Sequence, residues 1–137
     1  MIDWYKKVVF DNYANFSGRA SRSEYWYFML CNFLIIMALL LCFGLSVALF
    51  GGFGMLFIVV YVVYAFGVLI PNIGVLVRRL HDVNKSGWFY FVALIPLVGA
   101  IWLLVMLFTE GDQGENDYGS DPKQIFDKTD EIGKLEQ

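Results

Sequence analysis

The chain has long stretches without a single formal charge. From Tyr25 to Val77 there are 53 residues with no Asp, Glu, Lys or Arg, and a second such stretch of 24 residues runs from Ser86 to Thr109. Hydrophobic residues make up 58% of the chain and charged residues only 17%. A water-soluble domain of this size could not bury so much apolar surface. The absence of charge therefore excludes an ordinary soluble domain and predicts a membrane protein.

Cysteine and histidine are also scarce. Cys31 and Cys42 both lie in the first charge-free stretch, where their spacing along a helix places them about 16 Å apart, too far for a disulfide bond. His81 is the only histidine and has no thiol near it, so it cannot complete a zinc site alone. A triad with Asp82 and Ser86 is not favoured, because neighbouring side chains on a helix point in different directions. We assign no catalytic residue, metal or other cofactor.

The charge-free stretches predict an all-α integral membrane bundle with three transmembrane helices. A helix needs about 20 apolar residues to cross the hydrocarbon core, so the first stretch supplies two crossings and the second supplies one. We place the helices near residues 25–49, 54–77 and 88–108, with a tight glycine-rich turn at residues 51–54. Ser21 and Glu24 fit a capping box that starts the first helix.

Polar segments flank this membrane domain, which we place at residues 1–109. The helical spacing of apolar and charged residues in positions 1–13 predicts a short amphipathic helix. It either lies among the lipid headgroups or caps the cytoplasmic mouth of the bundle. Residues 110–137 form an acidic polar tail, which is rich in turn residues up to Pro122 and is expected to be mobile beyond that point.

Charge is distributed unevenly between the polar segments. Residues 1–24 and 78–87 together carry seven bases and four acids, whereas the tail carries nine acids and three lysines. The positive-inside rule makes the N-terminus and the 78–87 loop cytoplasmic. Three crossings would place the tail on the opposite side of the membrane, and an even number of crossings would reverse that placement.

The polar island at residues 78–88, between the two apolar stretches, is the candidate functional site. If the second helix continues to Asp82, this carboxylate opposes the helix dipole and needs a partner. Arg78, Arg79 or the free N–H groups near Ser86 could supply one, and Glu24 could take the other arginine. We predict an interhelical network or an anion-binding site formed by Arg19, Arg22, Glu24, Arg78, Arg79, His81, Asp82 and Lys85.

Several functions are compatible with such a surface. The favoured one is an interaction with anionic phospholipid headgroups or with another membrane protein, including a second copy of the chain, because guanidinium groups match phosphate. The alternatives are a subunit of a transport or channel complex and an enzyme acting on a phospholipid headgroup, with His81 or Asp82 as acid or base. The bases could also serve only as topology determinants. We expect no nucleic-acid partner.

Short motifs stand in a defined order from about residue 10 to residue 122. They are the segments at residues 16–26, 78–82 and 86–88, together with Pro71, Pro96, Gly99, Gly114, Asn116, Tyr118, Gly119, Asp121 and Pro122. In this order they resemble the domain of unknown function 805, a family of small bacterial inner-membrane proteins. The resemblance implies a polytopic inner-membrane protein but no established activity, cofactor or catalytic residue. Asp117 stands where that family leads us to expect a basic residue, which puts in doubt any role of the tail motif that requires positive charge.

Overall fold

The computed structural model describes residues 1–51 and 55–124, and this part of the chain is helical. No β-strand occurs in the described ranges apart from one isolated bridge between Asn116 and Gly119, which confirms the predicted all-α class. In chain order the elements are α1 (Ile2–Lys6), a π-helical turn (Lys7–Asp11), α2 (Arg22–Phe50), α3 (Met55–Asp82), a 3-10 helix (Gly87–Leu94) and α4 (Val98–Phe108).

Helices α2 and α3 are each long and apolar enough to cross a membrane. The two candidate spans, Arg22–Leu49 and Met55–Asp82, contain 28 residues each. At 1.5 Å per residue such a helix is about 42 Å long, which exceeds the roughly 30 Å of hydrocarbon. Most of their apolar side chains are exposed, among them Phe66 at 72%, as expected for surfaces that face lipid. The glycine turn predicted between them falls largely on residues 52–54, which lie outside the described residues.

The third predicted helix, at residues 88–108, is not a continuous helix. The 3-10 helix has 8 residues and α4 has 11, and the chain reverses direction between them at residues 95–97. Neither segment is long enough to cross the hydrocarbon core, so three membrane crossings are not confirmed. The reversal is centred on Leu97, whose φ of 65° and ψ of −51° define a γ-turn closed by the Val98 N–H, which donates to the Pro96 carbonyl at 2.8 Å.

The amphipathic N-terminal segment packs against the helix pair. Val8 in the π-helical turn is fully buried, and the ring of Tyr5 stacks on that of Phe28 in α2 with centroids 5.6 Å apart. These contacts match the alternative in which the segment caps the bundle. The core therefore lies where α2 begins and α3 ends, which is the polar end of the bundle. Its buried apolar members are Val8, Ala20, Tyr25, Phe28, Val75, Leu80, Leu103 and Leu107.

The described part of the tail, residues 110–124, returns to the polar island. The Asp112 N–H donates to the Asp82 carbonyl at 2.8 Å, and the Asn116 amide donates to the His81 carbonyl at 2.9 Å. The prediction that the tail lies on the opposite side from the island is therefore wrong for these residues. The reason is the reversal at residues 95–97, which brings α4 back to the end of α3. The part expected to be mobile beyond residue 124 lies outside the described residues.

Candidate functional site

Two of the buried carboxylates at the polar end of the bundle each bind two bases. The first is Asp82, in the last turn of α3. One of its oxygens accepts a hydrogen bond from the Arg19 Nε at 3.0 Å, and the other accepts from Arg79. The side chain of Arg19 is 1% exposed and that of Asp82 is 5% exposed. The carboxylate that opposes the helix dipole is thus neutralised by one neighbour on its own helix and one distant in sequence.

Arg79 also fixes the end of α4. Its Nε donates to the Leu107 carbonyl at 3.2 Å, and its Nη2 donates to the Thr109 carbonyl. The last carbonyls of a helix have no partner within the helix, and cations near that end interact favourably with its dipole. One fully buried guanidinium therefore connects the end of α3 to the end of α4.

Arg19 orders the described part of the tail in the same way. Its Nη1 donates to the Gly114 carbonyl at 2.5 Å and to the Gly119 carbonyl at 3.3 Å, and its Nη2 donates to the Asp112 carbonyl. The tail closes on itself through paired backbone hydrogen bonds between Asn116 and Gly119, each 3.1 Å long. An acidic segment is therefore held by a buried arginine through its backbone carbonyls.

The second buried carboxylate is Glu24, in the first turn of α2. Helix α2 begins after Ser21, whose hydroxyl accepts from the Glu24 N–H at 3.2 Å. This is half of the predicted capping box, because the Glu24 carboxylate is bound to other groups. Its two oxygens accept from Lys7 and Arg78, each at 2.6 Å. The Glu24 side chain is 0% exposed, so the N-terminal segment and α3 meet on one desolvated charge.

Arg78 has hydrogen-bonding capacity that Glu24 does not use. Its Nη1 binds Glu24, whereas Nε and Nη2 are buried and have no hydrogen-bond partner among the described residues. The Nε–H and a neighbouring Nη–H of a guanidinium form a planar fork that matches two oxygens of a phosphate or carboxylate. The Arg78 side chain is only 4% exposed, so the vacant donors are held in place by packing.

A polar cavity of about 400 Å³ adjoins Arg78. The N-terminal segment, the end of α3 and the tail all contribute to it, so it exists only because the tail returns to the island. The side chains that matter for its chemistry belong to Lys7, Asn15, Ser17, Arg19, Arg78 and Ser120. Cations and neutral hydrogen-bonding groups dominate this set, which suits an anion.

A second cavity, of about 640 Å³, is apolar and lies between α3 and the 3-10 helix. Its walls include Leu76, Val77, Trp88 and Phe91. Residues 15–18 contribute to both cavities: Phe16 lines the apolar one, whereas Asn15 and Ser17 line the polar one. A polar and an apolar compartment therefore lie next to each other at the polar end of the helix pair.

His81 lies at the boundary between these cavities and is engaged in structural contacts. Its Nδ1 lies 3.1 Å from the Gly18 carbonyl, and its ring stacks on Tyr118 with centroids 3.9 Å apart and planes 7° apart. Ser86 instead caps the 3-10 helix by accepting from the Trp88 N–H at 3.4 Å. His81, Asp82 and Ser86 therefore bind different partners and do not form a catalytic triad.

Two of the predicted site residues lie outside the buried cluster. Arg22 pairs with Glu110 at 3.0 Å, and Lys123 binds the same carboxylate at 2.6 Å, all on exposed side chains. The hydrogen bond and charge of Lys123, followed by the charge of Arg22, hold the pKa of Glu110 below its ordinary value of 4.5. Lys85 is exposed and has no ion-pair partner in the described part of the chain.

The structure divides the predicted network into separate groups and adds members to it. Arg19, Arg79 and Asp82 form one group, and Glu24 and Arg78 form another with Lys7. Lys7 was missed because a lysine on the polar face of an amphipathic helix is ordinarily solvated. Asn116 and Tyr118 belong to the tail motifs that stand in a defined order along the sequence. Their place in that order was the only signal in the sequence for their contacts.

A pair of long apolar helices with buried ion pairs at one end defines a helical membrane protein with a buried polar cluster. The family model described as "Protein of unknown function (DUF805)" matches residues 13–120, which include both helices and the ordered tail segment. The chain belongs to this family, which confirms the resemblance and makes it a small inner-membrane protein.

Two relatives from Escherichia coli strain K12 match nearly the whole chain. The inner membrane protein YhaH is 42% identical over 125 residues, which cover 89% of this chain and 98% of YhaH. The inner membrane protein YhaI is 37% identical over 125 residues, which cover 89% of this chain and 97% of YhaI. No solved structure gives a significant match.

Proposed function

We propose that this inner-membrane protein binds the phosphate of an anionic lipid headgroup in the polar cavity, on the cytoplasmic face of the membrane. The observation that carries the proposal is the vacant fork of Arg78. Its Nε and Nη2 are buried without a partner among the described residues, while Glu24 holds its Nη1 at 2.6 Å. A buried donor left unpaired costs about 1–3 kcal/mol, and more when it is charged. Arg78 lines the polar cavity, and two phosphate oxygens that displaced the atoms packed over this fork would satisfy both donors.

The charge balance of the buried cluster supports an anionic ligand. Two carboxylates, Glu24 and Asp82, bind four bases, so the formal charge of the two groups together is +2. Surplus charge in a site shielded from water attracts an anion strongly, since screening there is weak. The four bases are Lys7, Arg19, Arg78 and Arg79.

The apolar cavity favours a lipid over free phosphate as the source of that anion. Residues 15–18 contribute to the walls of both cavities. A phospholipid could place its phosphate against Arg78 and part of an acyl chain against Leu76 and Phe91. The excess of bases in residues 1–24 and 78–87 supports the cytoplasmic leaflet, where anionic lipids attract basic segments.

The contacts of His81 and Asp82 favour binding over acid–base catalysis. Both oxygens of Asp82 are taken by arginines, and the His81 ring is covered by Tyr118. A general acid or base must reach the proton that it transfers. Neither side chain offers such a group to the polar cavity, which is lined instead by cations and neutral polar side chains.

Introducing a carboxylate into the wall of the polar cavity tests the proposal. Ser120 is exposed and lines the cavity, whereas Gln113 is exposed and does not line it. Ser120→Glu and Gln113→Glu change the net charge equally, so Gln113→Glu is the matched control. Each variant is reconstituted with a mixture of phosphatidylglycerol and phosphatidylcholine, and retained lipid is measured by native mass spectrometry.

The unmodified protein should retain phosphatidylglycerol in preference to phosphatidylcholine. Ser120→Glu should reduce that retention by about tenfold or more, since tenfold corresponds to only ~1.4 kcal/mol, and Gln113→Glu should leave it unchanged. Equal retention by the two variants would overturn the proposal. Complete displacement of phosphatidylglycerol by inorganic phosphate would show a phosphate site that does not select lipid, and would overturn the lipid part.

A further inference from the structure

Residues 87–108 form a hairpin whose two limbs have the same length. The 3-10 helix of 8 residues is about 16 Å long at 2.0 Å per residue, and α4, with 11 residues, is also about 16 Å long at 1.5 Å per residue. Each limb therefore spans about half of a hydrocarbon core that is ~30 Å thick. We propose that this segment is a re-entrant hairpin, which enters and leaves the bilayer at the same face and places its tip in hydrocarbon.

Both ends of the hairpin are attached to the polar end of the helix pair. The first limb starts where Gly87 lies against the side chain of Val77 in α3, because a Cβ on Gly87 would be 2.8 Å from the Val77 Cγ1. The second limb ends where Phe108 stacks on Trp26 of α2 with ring centroids 4.3 Å apart. The Arg79 Nε donates to the Leu107 carbonyl, which fixes the end of the second limb to the end of α3. A helix crossing the whole membrane would separate these two ends.

The first limb runs along α3 toward the apolar middle of that helix. The apolar cavity lies between Trp88 and Phe91 of the limb and Ile73 and Val77 of α3. The second limb packs back on the first, with Phe89 and Trp102 in an edge-to-face contact at 6.0 Å. The tip therefore points away from the polar cluster and along the spanning helix.

The tip consists of exposed apolar side chains. Leu94 is 76% exposed, Ile95 is 52% exposed and Leu97 is 86% exposed. No charged residue occurs between Ser86 and Thr109. A leucine at the centre of the γ-turn is conformationally costly compared with glycine, since its φ is positive. An apolar side chain in that conformation suits a turn surrounded by hydrocarbon.

Three backbone N–H groups at the tip, those of Ile95, Val98 and Gly99, have acceptors within the hairpin. The Ile95 N–H donates to the Val92 carbonyl at 3.0 Å, and the Gly99 N–H donates to the Ile95 carbonyl at 3.0 Å. Pro96 has no N–H to satisfy. Each unpaired backbone polar group in hydrocarbon is costly, so these internal hydrogen bonds lower the cost of inserting the turn.

The position of the hairpin does not depend on which ligand the polar cavity binds. With α2 and α3 as the two crossings, the N-terminal segment, the island and the described part of the tail share one face of the membrane. The hairpin thus returns the chain to the cavity that the tail helps to form.

Thiol labelling from each side of the membrane tests the topology. Single cysteines replace Met55, Lys85 or Gln113, all exposed positions, in a background with Cys31→Ala and Cys42→Ala. Sealed right-side-out and inside-out membrane vesicles are each treated with a membrane-impermeant maleimide, which labels only the face that is turned outward. Lys85→Cys and Gln113→Cys should react from the same face and Met55→Cys from the other. Reaction of Gln113→Cys from the face that labels Met55→Cys would overturn the proposal.

Depth measurement distinguishes an inserted hairpin from one folded over the membrane surface. A spin label on Leu97→Cys in phosphatidylglycerol and phosphatidylcholine vesicles should be accessible to oxygen and protected from a water-soluble nickel chelate. The same label on Gln113→Cys provides the aqueous reference. Equal accessibility of both labels to the chelate would overturn the inserted position of the tip.

Discussion

The Arg19 Nε and the Asp82 carboxylate lie 3.0 Å apart although the two residues are separated by 63 positions in sequence. Arg79 binds the other oxygen of the same carboxylate. Through the carbonyl groups that these arginines also bind, one buried acid connects the segment before α2, the end of α3, the end of α4 and the tail. The stability of the polar end and the shape of the polar cavity therefore depend on the same charge.

Replacing Asp82 with Asn should strongly destabilise the protein. The change leaves the guanidinium groups of Arg19 and Arg79 buried without their carboxylate, and breaking a buried pair in this way costs about 3–5 kcal/mol. Thermal unfolding in detergent should show a large fall in the midpoint. Glu110→Gln is the matched control, because Glu110 also binds two bases but is exposed. An equal fall in both variants would contradict the importance of burial.

Replacing Arg19 with Lys should loosen the tail while keeping the charge opposite Asp82. Lysine is a point charge and cannot supply the guanidinium geometry that reaches Asp82 and the tail carbonyls together. Hydrogen exchange should become faster at the Asn116 and Gly119 amides, which are hydrogen-bonded to each other's carbonyls. The exposed Arg22→Lys serves as control and should leave exchange at these amides unchanged. Unaltered protection in Arg19→Lys would show that the tail folds without this arginine.

Gly99→Ala should separate the limbs of the hairpin. A Cβ at Gly99 would collide with the Val92 carbonyl, a backbone group that cannot rotate away. The contact between Phe89 and Trp102 should weaken, which a shift in tryptophan emission would report. Gly44→Ala is the matched control, since a Cβ there meets nothing within 4 Å and alanine favours a helix. Identical spectra for Gly99→Ala and the unmodified protein would contradict the close packing of the limbs.

The ion pairs of Glu110 should persist to mildly acidic pH. Because pairing with Lys123 and Arg22 lowers its pKa from 4.5, the stabilisation is fully present above that value and is lost as the pH falls through the lower folded pKa. Carboxyl NMR of Glu110 should show a titration midpoint below 4.5. Lys123→Gln should raise this midpoint. A midpoint at or above the ordinary value in the unmodified protein would be evidence against the pairing.

The spanning helices could be predicted because a charge-free stretch of 53 residues is long enough for two crossings and too apolar for a soluble domain. The hairpin could not, because two short helical limbs joined by a turn have the same apolar composition as one spanning helix. Pro96 and Gly99 stand at the reversal, yet proline and glycine also occur within transmembrane helices. The predicted placement of the tail away from the island was therefore wrong, because the prediction took this stretch for one spanning helix.

The charged residues of the polar cluster were visible in the sequence, but several of their contacts were not. Arg79 and Asp82 are three positions apart on one helix, so their pairing follows from helical geometry. The contacts of Arg19 with the tail go to backbone carbonyls, which every residue carries and no composition reveals. Lys7 meets Glu24 only because the N-terminal segment folds back on α2.

Lipid retention by Arg78→Lys tests whether the guanidinium of Arg78 binds the phosphate. Lysine keeps the positive charge near Glu24 but has no planar fork, and Glu24 retains Lys7 as a partner, so the protein should still fold. Native mass spectrometry should show phosphatidylglycerol retention reduced by about tenfold, equivalent to ~1.4 kcal/mol, with an unchanged thermal midpoint. Retention equal to that of the unmodified protein would contradict the assignment of Arg78 as the phosphate-binding residue.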